Sequence, residues 1–226
     1  MHLNVLRSRL SSRTPLLAVL LAAALAGCAS KTDVNERNFA EALSRLFEKT
    51  GAQCLDQVEW PGEFTVAEME AAAKYPRWTI NQYLALQQLG LAGREEFVGP
   101  QRIGGVPLVG TDVKQTRFVL TDASKPFQRV TNQGQVKLCW GQKALAKIVK
   151  WEGPLKLGDY QEVVVTYLYT IEGEADWAKQ PSVNAAFALL KAARDGVGNK
   201  EERLALVLTN AGWEGRSPRR LGGQAL

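Results

Sequence analysis

The sequence predicts an α+β fold in which a short-helix N-terminal half packs with a mainly antiparallel β-sheet and one C-terminal helix. Two observations carry this reading. Through residue 93, apolar residues recur at helical spacing between capping and stopping residues; beyond it, they alternate in runs bounded by turn residues. The first helix is expected over residues 36–50, where Phe39, Leu43, Leu46 and Phe47 share a face and Gly51 supplies a stop. Thr65 and Glu68 have the spacing of a capping box and open a second run through Met69, Ala72 and Ala73, which Pro76 breaks. Thr79 begins a third, with Ile80, Tyr83, Leu84 and Leu89 on one face and Gly90 at its end.

After Gly93, the runs REEFV, IGGVPLVG and KQTRFVLTDASKPFQRV predict a hairpin with a wide loop. VKLCW and KALAKIVKW follow as strands. In YQEVVVTYLYTI, one face holds Val163, Val165, Tyr167, Tyr169 and Ile171 and the other holds Val164 and Leu168. Two apolar faces mark a central strand. EGEADWAKQP reads as a turn. Residues 182–194 read as the C-terminal helix, with Val183, Ala186, Phe187 and Leu190 inward, and RLALVLT as a returning strand before a turn at Asn210, Ala211 and Gly212. The expected organisation is therefore a leader over 1–27, a polar tether over 28–35, a helical region over 36–130, a β-rich region over 131–215 and a flexible basic tail over 216–226.

Composition narrows the function classes. The 226 residues include 28 Lys+Arg and 23 Asp+Glu, a formal charge of +5, but the excess sits at the ends. Arg7, Arg9 and Arg13 lie in a leader without acids, and Arg216, Arg219 and Arg220 in a tail without acids; the segment between is close to neutral. That distribution excludes a globally basic nucleic-acid surface. With 46% hydrophobic and 23% charged residues the chain is an ordinary globular one, not collagen-like, low-complexity or multi-span.

Residues 1–14 are positively charged and residues 15–27 (PLLAVLLAAALAG) are apolar, too short a run to cross a bilayer core, which needs about 20 residues. This is the pattern of a secretory signal peptide. Leu25, Ala26, Gly27 and Cys28 resemble the lipobox of bacterial lipoproteins. The resemblance implies cleavage between Gly27 and Cys28. Cys28 then carries a diacylglyceryl thioether and an N-acyl chain such as palmitate, so membrane lipid is a partner through this residue. Ala29, where an Asp would signal inner-membrane retention, implies the outer membrane if the source is Gram-negative, with the domain facing the periplasm.

His2 is the only histidine, so the chain from Cys28 onward has none for Ser-His, Cys-His or His-metal chemistry. With Cys28 acylated, Cys54 and Cys139 remain as an even pair in an oxidising compartment. A disulfide between them would close a loop of about 86 residues and stabilise the fold by roughly 4 kcal/mol; the alternative is two buried thiols.

The three helices followed by a basic hairpin, over residues 38–130, resemble a winged-helix module. Such modules commonly bind DNA through the third helix, yet residues 78–93 contain no Lys or Arg, so no nucleic-acid partner is expected and the resemblance implies a scaffold or protein-contact role. Other constellations have plainer readings. Glu172, Glu174 and Asp176 lack the ligand density of a calcium loop, and no metal or cofactor is expected. Glu95 and Glu96 point to opposite strand faces. Lys137, Lys143, Lys147 and Lys150 form either a basic stripe or an ordinary solvated face, and the six tryptophans are mostly core residues. No catalytic spacing emerges. The expected function is a lipid-anchored, cell-envelope lipoprotein acting as a non-catalytic binding or assembly module, with an envelope protein or cell-wall component as partner. The alternative is a carboxylate-based hydrolase or a binding protein acting on cell-wall or carbohydrate ligands. The basic tail is expected to contact an anionic surface.

Overall fold

Asn35 starts the first helix because its side chain can take the role of a missing backbone acceptor: Oδ1 accepts from Asn38 N at 2.9 Å. In a computed structural model that describes residues 30–55, 58–75, 79–103 and 106–216, that helix is α1 (Glu36–Thr50), closed by Gly51. It buries Phe39, Ala42, Leu43 and Phe47. Strands β1 (Ala52–Cys54) and β2 (Gly62–Thr65) follow, then α2 (Val66–Lys74), whose Thr65–Glu68 capping box is formed in both directions, and α3 (Thr79–Gln88). The hairpin β3 (Ala92–Ile103) and β4 (Val106–Leu120) pairs almost to its tip, so the expected wide loop is instead two long paired strands. β5 (Gln128–Val130), β6 (Val136–Leu157), β7 (Tyr160–Glu172), α4 (Pro181–Ala186), α5 (Ala188–Asp195), β8 (Glu202–Thr209) and β9 (Gly212–Gly215) complete the chain.

The architecture is α+β. A larger antiparallel sheet has the order β1-β6-β7-β8-β9, with β5 also paired to β6, and a smaller one has the order β2-β4-β3. β7 is central, as its two apolar faces predict. Its odd-numbered residues Val163, Val165, Tyr167 and Tyr169 lie in a core with Phe39, Leu43 and Phe47 of α1 and Trp213 of β9. Val164 and Leu168, with Val207 of β8, belong to neither core and stay half-exposed.

VKLCW and KALAKIVKW are one strand, because Gly141 continues the chain where a larger residue would not fit. A Cβ there would stand 2.5 Å from Ile171 Cγ2. β6 therefore runs for 22 residues through both cores, contributing Leu138 and Trp140 to one and Leu145 and Ile148 to the edge of the other. The expected helix over 182–194 is two, divided at Phe187. This residue leaves helical geometry (φ −120°, ψ 82°) while its ring is buried beside Val183 and Leu190. α4 packs on α3, and α1 on β6 and β9, so the N- and C-terminal segments interlock.

Cys54 and Cys139 face each other across the β1–β6 pair and are bonded, at a sequence separation of 85. Replacing both by serine is expected to lower unfolding stability by about 3–4 kcal/mol, measured by urea titration. Alkylation of the native protein without reductant should label neither cysteine; two labelled thiols would overturn the bond.

Candidate functional site

Two side-chain amides and a carboxylate close together in sequence can satisfy backbone groups locally and so hold a turn without a hydrophobic core of its own. The segment just beyond Cys28 uses this. Asn38 lies on the buried side of α1 and donates through Nδ2 to Ser30 O at 2.8 Å and Asp33 O at 2.9 Å. Ser30 N donates to Asp33 Oδ2 at 2.8 Å, and Asp33 N returns a bond to Ser30 O at 3.0 Å. The indole of Trp213, buried in the α1 core, donates to Asp33 O at 3.1 Å. Gly212 makes room beside it: at its φ of +108° a Cβ would stand 3.0 Å from Lys31 O. Residues 30–35 read as tether in the sequence, yet they form a hydrogen-bonded turn seated on β9. The available signal was Asn38 itself, since an amide on the buried face of an amphipathic helix requires partners. Gly27 and Cys28, the whole of the 1–27 leader and residues 217–226 of the basic tail lie outside the described residues.

The densest polar cluster lies under α1. Lys143 of β6 and Glu202 of β8 form an ion pair at 2.8 Å reaching across β7, and both are largely buried. Tyr167 OH donates to the same Glu202 oxygen at 2.9 Å, Lys143 Nζ stands 4.2 Å from the centre of the Tyr169 ring, and Tyr169 OH donates to Ala193 O. Burial first, then the Glu202 charge, raises the pKa of Tyr167 well above the ordinary phenol value, and the same two causes raise Tyr169. Both phenols therefore stay protonated and act as donors. The cluster ties three strands together, and its only acid is neutralised by its own lysine.

The remaining sequence candidates separate in space. Lys143 faces α1, whereas Lys147 and Lys150 pair with Leu168 and Thr166 and lie on the opposite face, which no described element covers; register shifts between Leu145 and Lys147 and between Ile148 and Lys150 separate Lys143 from the other two, so these three do not form one stripe. Glu174 is held by Arg194 and Asp176 by Lys179, and Glu172 is exposed. Among the described residues no group of three or more His, Cys, Asp or Glu is arranged to hold a metal ion. Glu96 pairs with Arg94, and Glu95 lies opposite Arg117. Of the described tryptophans, Trp140, Trp177 and Trp213 are buried, Trp60 is half-buried against Tyr83, and Trp151 is 38% exposed at the edge of the α1 core. The half-buried carboxylates Glu63, Glu162, Glu174 and Glu202 each meet a separate arginine or lysine. Among the described residues no helix is long and apolar enough to cross a membrane.

Tyr83 is raised as well, chiefly by burial. A phenol raised in the folded state contributes stability that is fully present below its unfolded pKa of about 10 and is lost as pH rises through the folded value. Unfolding free energy from urea titrations should therefore fall between pH 9 and 12. Tyr167→Phe should make that decline shallower than in the unmodified chain; an identical slope would remove Tyr167 as a contributor. In comparison with known proteins, the chain matches no family model, no curated protein and no solved structure.

Proposed function

We propose that the chain is a lipid-anchored lipoprotein of the cell envelope, acylated at Cys28 after cleavage behind Gly27, with its folded domain on the periplasmic side. The observation that carries this is the succession Leu25-Ala26-Gly27-Cys28 behind a charged and then apolar leader, followed two residues later by a turn already hydrogen-bonded to the folded domain. The Cys54–Cys139 bond supports an exported, oxidising location. Ala29 after the cysteine supports the outer membrane in a Gram-negative source.

Within the envelope the domain acts as a non-catalytic binding or assembly module. The resemblance of residues 38–130 to a winged-helix module supports a contact role, although α1 packs on β6 and β9 and it is α4 that packs on α3. α3 carries no basic residue, which favours protein contact over nucleic acid. The uncovered face of the larger sheet, with Val164, Leu168 and Val207 among Lys147, Lys150 and Arg203, favours a contact role for this side too. The partner is an envelope protein or a cell-wall component.

Cys28→Ser should remove the acyl mass seen in the intact protein and move the chain from the detergent phase to the aqueous phase on detergent partitioning. Wild-type protein isolated from envelope with an unmodified Cys28 thiol would sink the proposal. Crosslinking in intact cells followed by detergent extraction should enrich one specific partner with the wild-type chain, and recovery of bulk abundant proteins alone would count against a binding role.

A further inference from the structure

Strand pairing and the N-terminal turn bring three features to one end of the larger sheet. Leu157 of β6 pairs with Tyr160 of β7, Glu162 pairs with Val207 of β8, and Thr209 pairs with Gly212 of β9, so the β6–β7 and β8–β9 turns lie at the same end. Lys31 is packed against Gly212 at that end. α1 begins there too, since Phe39 meets both Trp151 and Trp213, at 5.4 and 5.2 Å between ring centres. Cys28 precedes Ser30 by two residues and so lies within about 7 Å of it even if fully extended. From β6 to β9 is three strand spacings, about 14 Å. An acyl chain on Cys28 thus holds this end at the bilayer rather than letting the domain swing on a long leash.

The same end exposes apolar side chains that belong to neither core among the described residues. Leu155 is 56% and Leu157 66% exposed, near the tip of the β6–β7 hairpin. Lys156 lies between them and is exposed, as is Lys31 beside Gly212. Asp159 stands in the turn, and the cost of dehydrating its carboxylate limits how deeply the turn can sink. The chain leaves the described structure at this end as well: the Arg216 guanidinium reaches Tyr160 OH at 3.3 Å and Glu162 at 3.6 Å, ahead of Arg219 and Arg220.

We propose that the β6–β7 hairpin is a bilayer-docking surface, with Leu155 and Leu157 entering the headgroup boundary of the leaflet that holds the Cys28 acyl chains. The inference depends on the lipid-anchor reading and adds a fixed orientation to it. The larger sheet then stands on end on the membrane, so its uncovered face lies along the membrane normal and remains open to a partner. α5, which contacts Tyr169, sits nine residues along β7 from Tyr160 and therefore about 30 Å from the surface.

The test uses the full acylated chain in vesicles of phosphatidylethanolamine and phosphatidylglycerol, with Leu155→Cys, Leu157→Cys or Leu189→Cys carrying an environment-sensitive fluorophore. Leu189 is 68% exposed on α5 and serves as an apolar control away from the surface. Insertion by the roughly 5–10 Å usual for interfacial elements should lower iodide quenching at 155 and 157 by about threefold or more and allow quenching by nitroxide-labelled lipid, with no change at 189. Labels at 155 and 157 as accessible as that at 189, on a chain that still floats with the vesicles, would overturn docking and leave the anchor intact. A chain that does not float and whose Cys28 has the mass of a free thiol would overturn both.

Discussion

β6 runs through two apolar cores, and the bond from its Cys139 to Cys54 fixes the chain just before the crossing between them. On one side, Leu138 and Trp140 pack with α3, α4 and α5; on the other, Leu145 and Ile148 pack toward α1 and β7. β1 is only three residues long, too short to hold α1 against this strand through its ladder alone. The covalent link supplies that hold, and further bonds extend it: Lys143 N donates to Gly51 O, and Gln142 donates to Phe47 O at the end of α1. With α1 fixed at its C-terminal end, its N-terminal end is directed along β6 toward Trp151 and Trp213.

That direction has a functional consequence. Phe39 is completely buried between two indoles, and Asn38 beside it collects the carbonyls of Ser30 and Asp33. The polar segment following the cysteine is therefore part of the folded unit. A lipid anchor attached to such a segment constrains orientation as well as location, because only two residues separate Ser30 from Cys28. Under the proposed function orientation matters, because Val164, Leu168 and Val207 would be open to a partner only if the membrane does not cover them.

Much of the fold was legible in local pattern. Gly51 and Thr65 with Glu68 mark helix ends by satisfying or freeing backbone groups near in sequence, so the N-terminal helices follow from residues a few positions apart, and the structure adds Asn35 as the cap of α1. The central position of β7 followed from its two apolar faces. Elements defined by distant partners were hidden. β1, β2 and β5 are three or four residues long and exist through pairing with β6 or β4. The continuity of β6 through Gly141 depends on Ile171 thirty residues later, and the break at Phe187 on the core that its ring enters.

The sequence by itself determined the chemistry available: no histidine after His2, two cysteines able to bond, a charged and then apolar segment ahead of Cys28 and charge concentrated at the chain ends. Each is a property of composition or short-range order and survives any folding of the chain. Tertiary structure decided which groups meet. It bonded Cys54 to Cys139, set Lys143 on the α1 face and Lys147 and Lys150 on the opposite one through two β-bulges, gave the half-buried carboxylates separate cations, and turned a polar tether into a turn held by Asn38 and Trp213. Burial and register are collective quantities, set by strand partners up to 90 residues apart and by contacts such as that of Trp213 with Asp33, 180 residues away, and no local pattern encodes them.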